Sequence, residues 1–263
     1  MKIARRILLS VAATLTVVFV GIYWVAPVAL SLYSSKKALA ITRVMPTQLE
    51  DQSVSHAAGT RVSCLGFEFE APWNDFEEPK TELYPKDKPD KHMARLYFRS
   101  GLQLLISSAP PHSMANTLTR TDLKMNPQAF AAVFGQQAAS SDYEFMKRVF
   151  EFSPTKMHPW ALSRTVASRE EVLLLIKTIL PSKPAESGIF NLRNASYQGF
   201  QQGNPKARPD TLLLDLYAAS GGLEILFAQK NYTNSQGVTQ PEINRIVQSL
   251  RRVVPTEMAS SGK

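Results

Sequence analysis

The chain has 263 residues, with 30 Lys and Arg against 22 Asp and Glu, a formal charge of +8 and a single cysteine, Cys64. That length suffices for one well-buried core, and the lone thiol excludes an internal disulfide. The excess charge is local: residues 1–43 hold six cations and no anion, while from Val44 onward 24 Lys and Arg face 22 Asp and Glu, so the body of the chain lacks the electrostatic footprint that nucleic-acid binding requires.

Lys2, Arg5 and Arg6 precede a stretch of 27 residues without a charged side chain, Ile7 to Tyr33. As a helix it would be about 40 Å long at ~1.5 Å per residue, enough for roughly 30 Å of bilayer hydrocarbon. The apolar core of a cleaved signal peptide runs to about 7–15 residues, whereas Ile7 to Val25 alone supplies 19. Residues 1–35 are therefore expected to form an N-terminal transmembrane signal anchor that meets the lipid bilayer through residues 7–33. Pro27 marks a kink or the end of the membrane helix, and Tyr23 and Trp24 suit the headgroup interface. Lys36, Lys37 and Arg43 balance the cations on the other flank, so charge alone does not set the orientation. A basic tail of six residues holds no domain and stays cytoplasmic, which puts the C-terminal domain of this single-pass membrane protein in the periplasm or outside the cell.

Residues 36–60 are mixed polar without sustained periodicity and read as a tether. From 61 to 255 a single extracytoplasmic α/β/α domain is expected, followed by a disordered tail at 256–263. Its first strand is Phe67-Glu68-Phe69-Glu70-Ala71, strictly alternating and stopped by Pro72. A charged loop from Trp73 to Lys91 is punctuated by Pro79, Pro85 and Pro89. Ala94 to Phe98 and Leu102 to Ile106 then flank Arg99-Ser100-Gly101 as a hairpin.

Between about 113 and 181 the period changes from two to near 3.6. Pro127 opens a short helix through Phe130 and Phe134. Ser141 to Glu144 and Ser168 to Glu171 have capping-box form, the first leading into a face of Phe145, Val149 and Phe152, the second into an apolar helix ended by Pro181. Strands return at Gly188 to Leu192, Ala195 to Gln201, Thr211 to Ala218 and Leu223 to Gln229, with reversals at Asn194 and Ser220-Gly221-Gly222. Leu212, Leu214 and Leu216 line one face of the third strand, and Leu213, Asp215 and Tyr217 the other, as a central strand covered on both sides requires. A last helix, Pro241 to Arg252, follows the capping box of Thr239 to Glu242 and presents Ile243, Ile246, Val247 and Leu250 inward, with Asn244, Arg245 and Gln248 outward.

The Pro-Trp-ended strand (Phe67 to Trp73), the hairpins either side of a helical section and the closing helix Gln240 to Leu250 resemble the PsbP/Mog superfamily, over roughly residues 65–253. The resemblance implies an α+β fold, a mainly antiparallel sheet sandwiched between helical layers, and an accessory or binding role without a shared catalytic set.

The residues themselves carry no catalytic, cofactor-binding or metal signature. His56, His92, His112 and His158 lack the i, i+4 spacing of a helical metal site. Cys64 with His56 reads as a lone cysteine near a strand start rather than half of a metal site. A Ser220, His158, Asp215 set lacks the strained elbow of a serine hydrolase, and Ser220 reads as a hairpin turn. The mixed-charge loop at 77–91 reads as solvated, with docking as its alternative. Tyr197, Phe200, Tyr217 and Phe227 read as core, and one of Tyr197 and Phe200, on opposite faces of one strand, is left as a candidate binding surface. The expected function is that of an accessory or binding protein acting on another envelope protein. An enzyme whose site no motif betrays, or a small-ligand carrier with a pocket between the sheet and the 113–181 helices, stands as the alternative.

Overall fold

The computed structural model describes residues 38–114, 116, 126–153, 169–207, 211–228 and 237–253. The expected membrane segment, His158 and the tail at 256–263 lie outside the described residues. Among the described residues no helix is long and apolar enough to cross a membrane.

The fold is α+β. Its centre is an eight-stranded sheet in the order β1 (Pro46–Gln48), β7 (Ile189–Arg193), β8 (Gln198–Gln202), β9 (Thr211–Ala218), β10 (Gly221–Ala228), β6 (Gln103–Ala109), β5 (Met93–Tyr97), β4 (Glu82–Tyr84). Every neighbouring pair is antiparallel except β1 with β7, which makes the sheet mixed. A second sheet of three strands runs β11 (Arg251–Arg252), β3 (Phe67–Ala71), β2 (Thr60–Cys64).

β9 lies inside the large sheet, and its run of leucines follows from burial on both faces. Leu212, Leu214 and Leu216 join the core that Phe67, Phe69 and Trp73 form with α6 (Gln240–Ser249). The opposite face, through Ile189 and Phe200, packs under α2 (Pro127–Phe134), α4 (Asp142–Glu151) and α5 (Arg169–Ile179). α3 (Gln136–Ser140) links α2 to α4. One covering layer is thus helical, whereas the other combines a helix with a small sheet where helices alone are expected from sequence. Arg251 and Arg252 pair with Glu68 and Phe67, so the closing helix stops at Ser249 and its last predicted turn is strand.

Two further expectations are corrected here. Residues 38–57 are no tether: α1 (Ala38–Arg43) buries Ile41 and Thr42, β1 joins the sheet edge, and the carbonyls of Asp51 and Ser53 accept from Asn244 Nδ2 at 2.9 and 2.7 Å. Asn244, expected outward, is therefore buried. It belongs to an amide network in which Gln201 and Gln240 exchange bonds of 2.8 and 2.9 Å and Gln240 donates to Asn244 Oδ1 at 3.0 Å. Polar atoms are tolerated in the core there because each finds a partner.

α6 is set by Glu242, whose Oε2 accepts from the Thr239 N–H at 2.7 Å and the Thr239 hydroxyl at 2.9 Å, while Oε1 accepts from Trp73 Nε1 at 3.0 Å. Asn194 closes the other end, donating to the Val247 carbonyl at 2.6 Å. Ile246 is fully buried between these ends, and Ile246→Ala is expected to cost about 2–5 kcal/mol in chemical unfolding of the full chain. A loss under ~1 kcal/mol, the size of a surface substitution, would remove this helix from the core.

Candidate functional site

β6 ends at Ala109, and Pro110 and Pro111 have no N–H with which to extend the ladder, so the chain turns off the sheet. His112 adopts φ 58° in that turn, a left-handed conformation uncommon outside glycine. Next, the N–H groups of Ser113 and Met114 donate to the Asp142 carboxylate at 3.0 and 3.1 Å, and the Ser113 hydroxyl adds a bond of 3.3 Å. Asp142 opens α4, whose N-cap Ser141 accepts from the Glu144 N–H at 3.4 Å. One carboxylate thereby fastens the 110–114 turn to the start of a helix.

Between that turn, the first turn of α4 and the β9–β10 reversal lies a cleft of about 340 Å³, lined by His112, Asp142, Tyr143, Glu144, Gln198 and Tyr217 among others. Its volume is near the lower end for small-molecule pockets. Tyr143 stacks on Phe200 with ring centroids 5.4 Å apart and lies 6.5 Å from the Tyr217 ring. The cleft therefore offers aromatic faces beside polar rims.

Asp215 sits on the same strand face as Tyr217, which lines the cleft, and is only 7 % exposed. Gln202 donates Nε2 to its Oδ2. The Gln202 carbonyl end is held by the Ser182 N–H at 2.7 Å and the Ser182 hydroxyl at 3.0 Å, so the amide is oriented to donate. Burial pushes the Asp215 carboxyl up to about 7, the Gln202 bond opposes the rise, and Glu224, its cross-strand neighbour, adds to it. Burial and then the carboxylates of Asp215, Asp142 and Glu224 hold the Tyr217 phenol well above its ordinary range. Perturbed groups grouped beside a cleft mark a candidate functional site on physical grounds.

The residues weighed from sequence scatter differently. His112 lines the cleft; His56 and His92 are exposed and line no part of it. Burial pushes the half-buried Cys64 thiol up to about 11, which disfavours its thiolate at neutral pH. Among the described residues no three His, Cys, Asp or Glu side chains converge to hold a metal ion. Ser220 is exposed in the turn that follows β9, and Asp215 is buried about 10 Å back from the end of that strand at ~3.3 Å per residue, so the two do not meet. Tyr197 and Phe200 are both buried, on opposite faces of the sheet, so neither supplies the free ring expected from sequence. In the charged loop, Glu82 accepts the hydroxyls of Tyr84 at 2.6 Å and Tyr97 at 2.9 Å, which tie β4 to the sheet edge.

Among the described residues, rings pack between the sheet and the helices: Phe134 and Phe145 are 4.8 Å apart and Phe150 meets Phe200 edge-on at 4.9 Å. Asp142 escaped sequence reasoning because it occupies a capping motif, where an acid has an ordinary structural explanation. The alternation of β9 puts Asp215 on a covered face and the Ser220, His158, Asp215 set considers it as a triad acid, and neither points to Gln202 as its partner. In comparisons with protein-family models, with curated proteins and with solved structures, nothing matches this chain.

Proposed function

We propose that this protein is a membrane-anchored extracytoplasmic accessory or binding protein, held by residues 7–33 and acting on another envelope protein through the cleft at the start of α4. The observation that carries the reading is the composition of that cleft. Of its two acids, Asp142 is committed to two backbone N–H groups and a hydroxyl and Glu144 remains at the rim, while Asp215, outside the lining, is bonded to Gln202, so the exposed chemistry suits recognition: aromatic rings, an amide, a histidine and one carboxylate. A kinship with the PsbP/Mog superfamily belongs to the same proposal, supported by a mainly antiparallel sheet, a helical layer on one face and a closing amphipathic helix on the other.

A benzophenone placed at Gln198 in the cleft is expected to capture a discrete envelope protein in native membranes, whereas the same probe at Arg61, exposed on β2, does not. The protein is expected to resist carbonate extraction with Ile7 to Val25 retained in its intact mass. Loss of a turnover activity of the purified protein in His112→Ala or Asp215→Asn, with the fold intact, would overturn the binding reading.

A further inference from the structure

We infer that α5 is a second point of membrane contact, its Leu175 and Ile179 face lying against the lipid surface beside the anchor. The large apolar side chains exposed among the described residues are Leu83, Leu175, Ile179 and Val253, and Leu175 and Ile179 are the most exposed at 48 % and 65 %. They stand one turn apart on a helix whose other side is committed to the core through Leu173, Ile176 and the fully buried Lys177. An apolar pair left facing outward on a well-packed helix calls for a covering partner.

The connection to the anchor selects lipid as that partner. The anchor segment is read through residue 33 and α1 begins at Ala38; from Pro27, where the membrane helix is expected to kink or end, the connection reaches at most about 40 Å at ~3.6 Å per residue. α1 is itself packed on α5 and on the short helix Lys183–Ser187, and the Val44 carbonyl that follows it accepts from Lys177 Nζ at 2.9 Å. The anchor therefore joins the domain on the side that carries α5. Lys36 and Lys37 lie in the connection, and Arg43 and Lys183, both exposed, lie on the two elements beside it, cations suited to anionic headgroups at a membrane surface. Interfacial side chains of this kind sit ~5–10 Å into the boundary between headgroups and acyl chains.

This inference rests on the anchor reading, and one experiment separates the two. The full chain, with Cys64→Ser, carries a nitroxide at position 175, 179 or 61 and is placed in nanodiscs of phosphatidylcholine and phosphatidylglycerol. Labels at 175 and 179 are expected to relax with oxygen and to be protected several-fold from a soluble nickel chelate relative to 61. If the protein stays with the discs but 175 and 179 meet the chelate as freely as 61, α5 does not touch lipid and only this inference falls. Labels shielded from both reagents would show protein, a second copy or the chain's own segment, covering the face, which also overturns it. If the protein does not partition into the discs, the anchor reading falls and takes the contact with it.

Discussion

Lys177→Met is expected to destabilise the protein by about 2–4 kcal/mol at neutral pH, because it removes three hydrogen bonds while keeping most of the side-chain volume. Lys177 is fully buried and, among the described residues, forms no ion pair with a carboxylate. Its ammonium instead donates to the carbonyls of Phe150 and Phe152 at 2.6 Å each and of Val44 at 2.9 Å. Those carbonyls lie at the C-terminal ends of α4 and of α1, groups that a helix cannot satisfy internally. Burial pulls the ammonium down to about 8, so it remains the cation at pH 7. Three N–H donors then match three acceptors.

Two opposing magnitudes decide the sign. Leaving three buried carbonyls without a donor costs about 1–3 kcal/mol each, and removing the ammonium returns about 3 kcal/mol of desolvation at ~1.4 kcal/mol per pKa unit. The carbonyl cost exceeds the relief over most of that range. Urea unfolding of the full chain in mild detergent reads the difference, with Lys177→Gln, which keeps an N–H donor, expected to recover part of it. An unchanged midpoint for Lys177→Met would mean that the carbonyls find water and that the lysine ties nothing together.

Lys177 also shows where sequence reasoning ends. The periodicity of Val172 to Leu180 identifies the helix and its Pro181 stop, since those follow from local spacing. A lysine in such a run reads as a solvent-facing interruption, and nothing local reveals that two other chain segments bring their carbonyls to it. The same division runs through the fold. β9 with its two buried faces, the hairpin around Arg99 to Gly101 and the stripe of Ile243, Ile246, Val247 and Leu250 were readable, each being a period or a turn. The docking of residues 38–57, the burial of Asn244 and the pairing of Arg251 with Glu68 were not. Each rests on partners more than 180 residues away, except α1 and β1, whose partners are still more than a hundred residues distant. The cleft is hidden for the same reason, since His112, Asp142, Gln198 and Tyr217 come from four separate segments.

Asp215→Asn is expected to stabilise the protein at pH 8 by about 1–4 kcal/mol, at ~1.4 kcal/mol per pKa unit, and to change little at pH 4. The folded carboxyl titrates near 7 and the unfolded one near its ordinary value of ~3.9. Between those values the native state holds the extra proton, so the stability that protonated Asp215 contributes is full below ~3.9 and is lost as pH rises through about 7. Asparagine has no charge to desolvate and can still accept the Gln202 bond, although its own N–H groups need partners, which sets the lower end of the expected gain. Glu224 faces Asp215 across the β9–β10 ladder, so removing one charge also relieves a like-charge neighbour. The measurement is the unfolding midpoint of wild type and variant between pH 4 and pH 8. Parallel curves would mean that Asp215 carries no buried charge at neutral pH. A chain that keeps an ionisable group in a place where asparagine is more stable has retained it against its own stability. Asp215 shares its strand face with Tyr217, which lines the cleft, so under the proposed binding role its titration is expected to appear as pH-dependent capture at Gln198 in the crosslinking experiment.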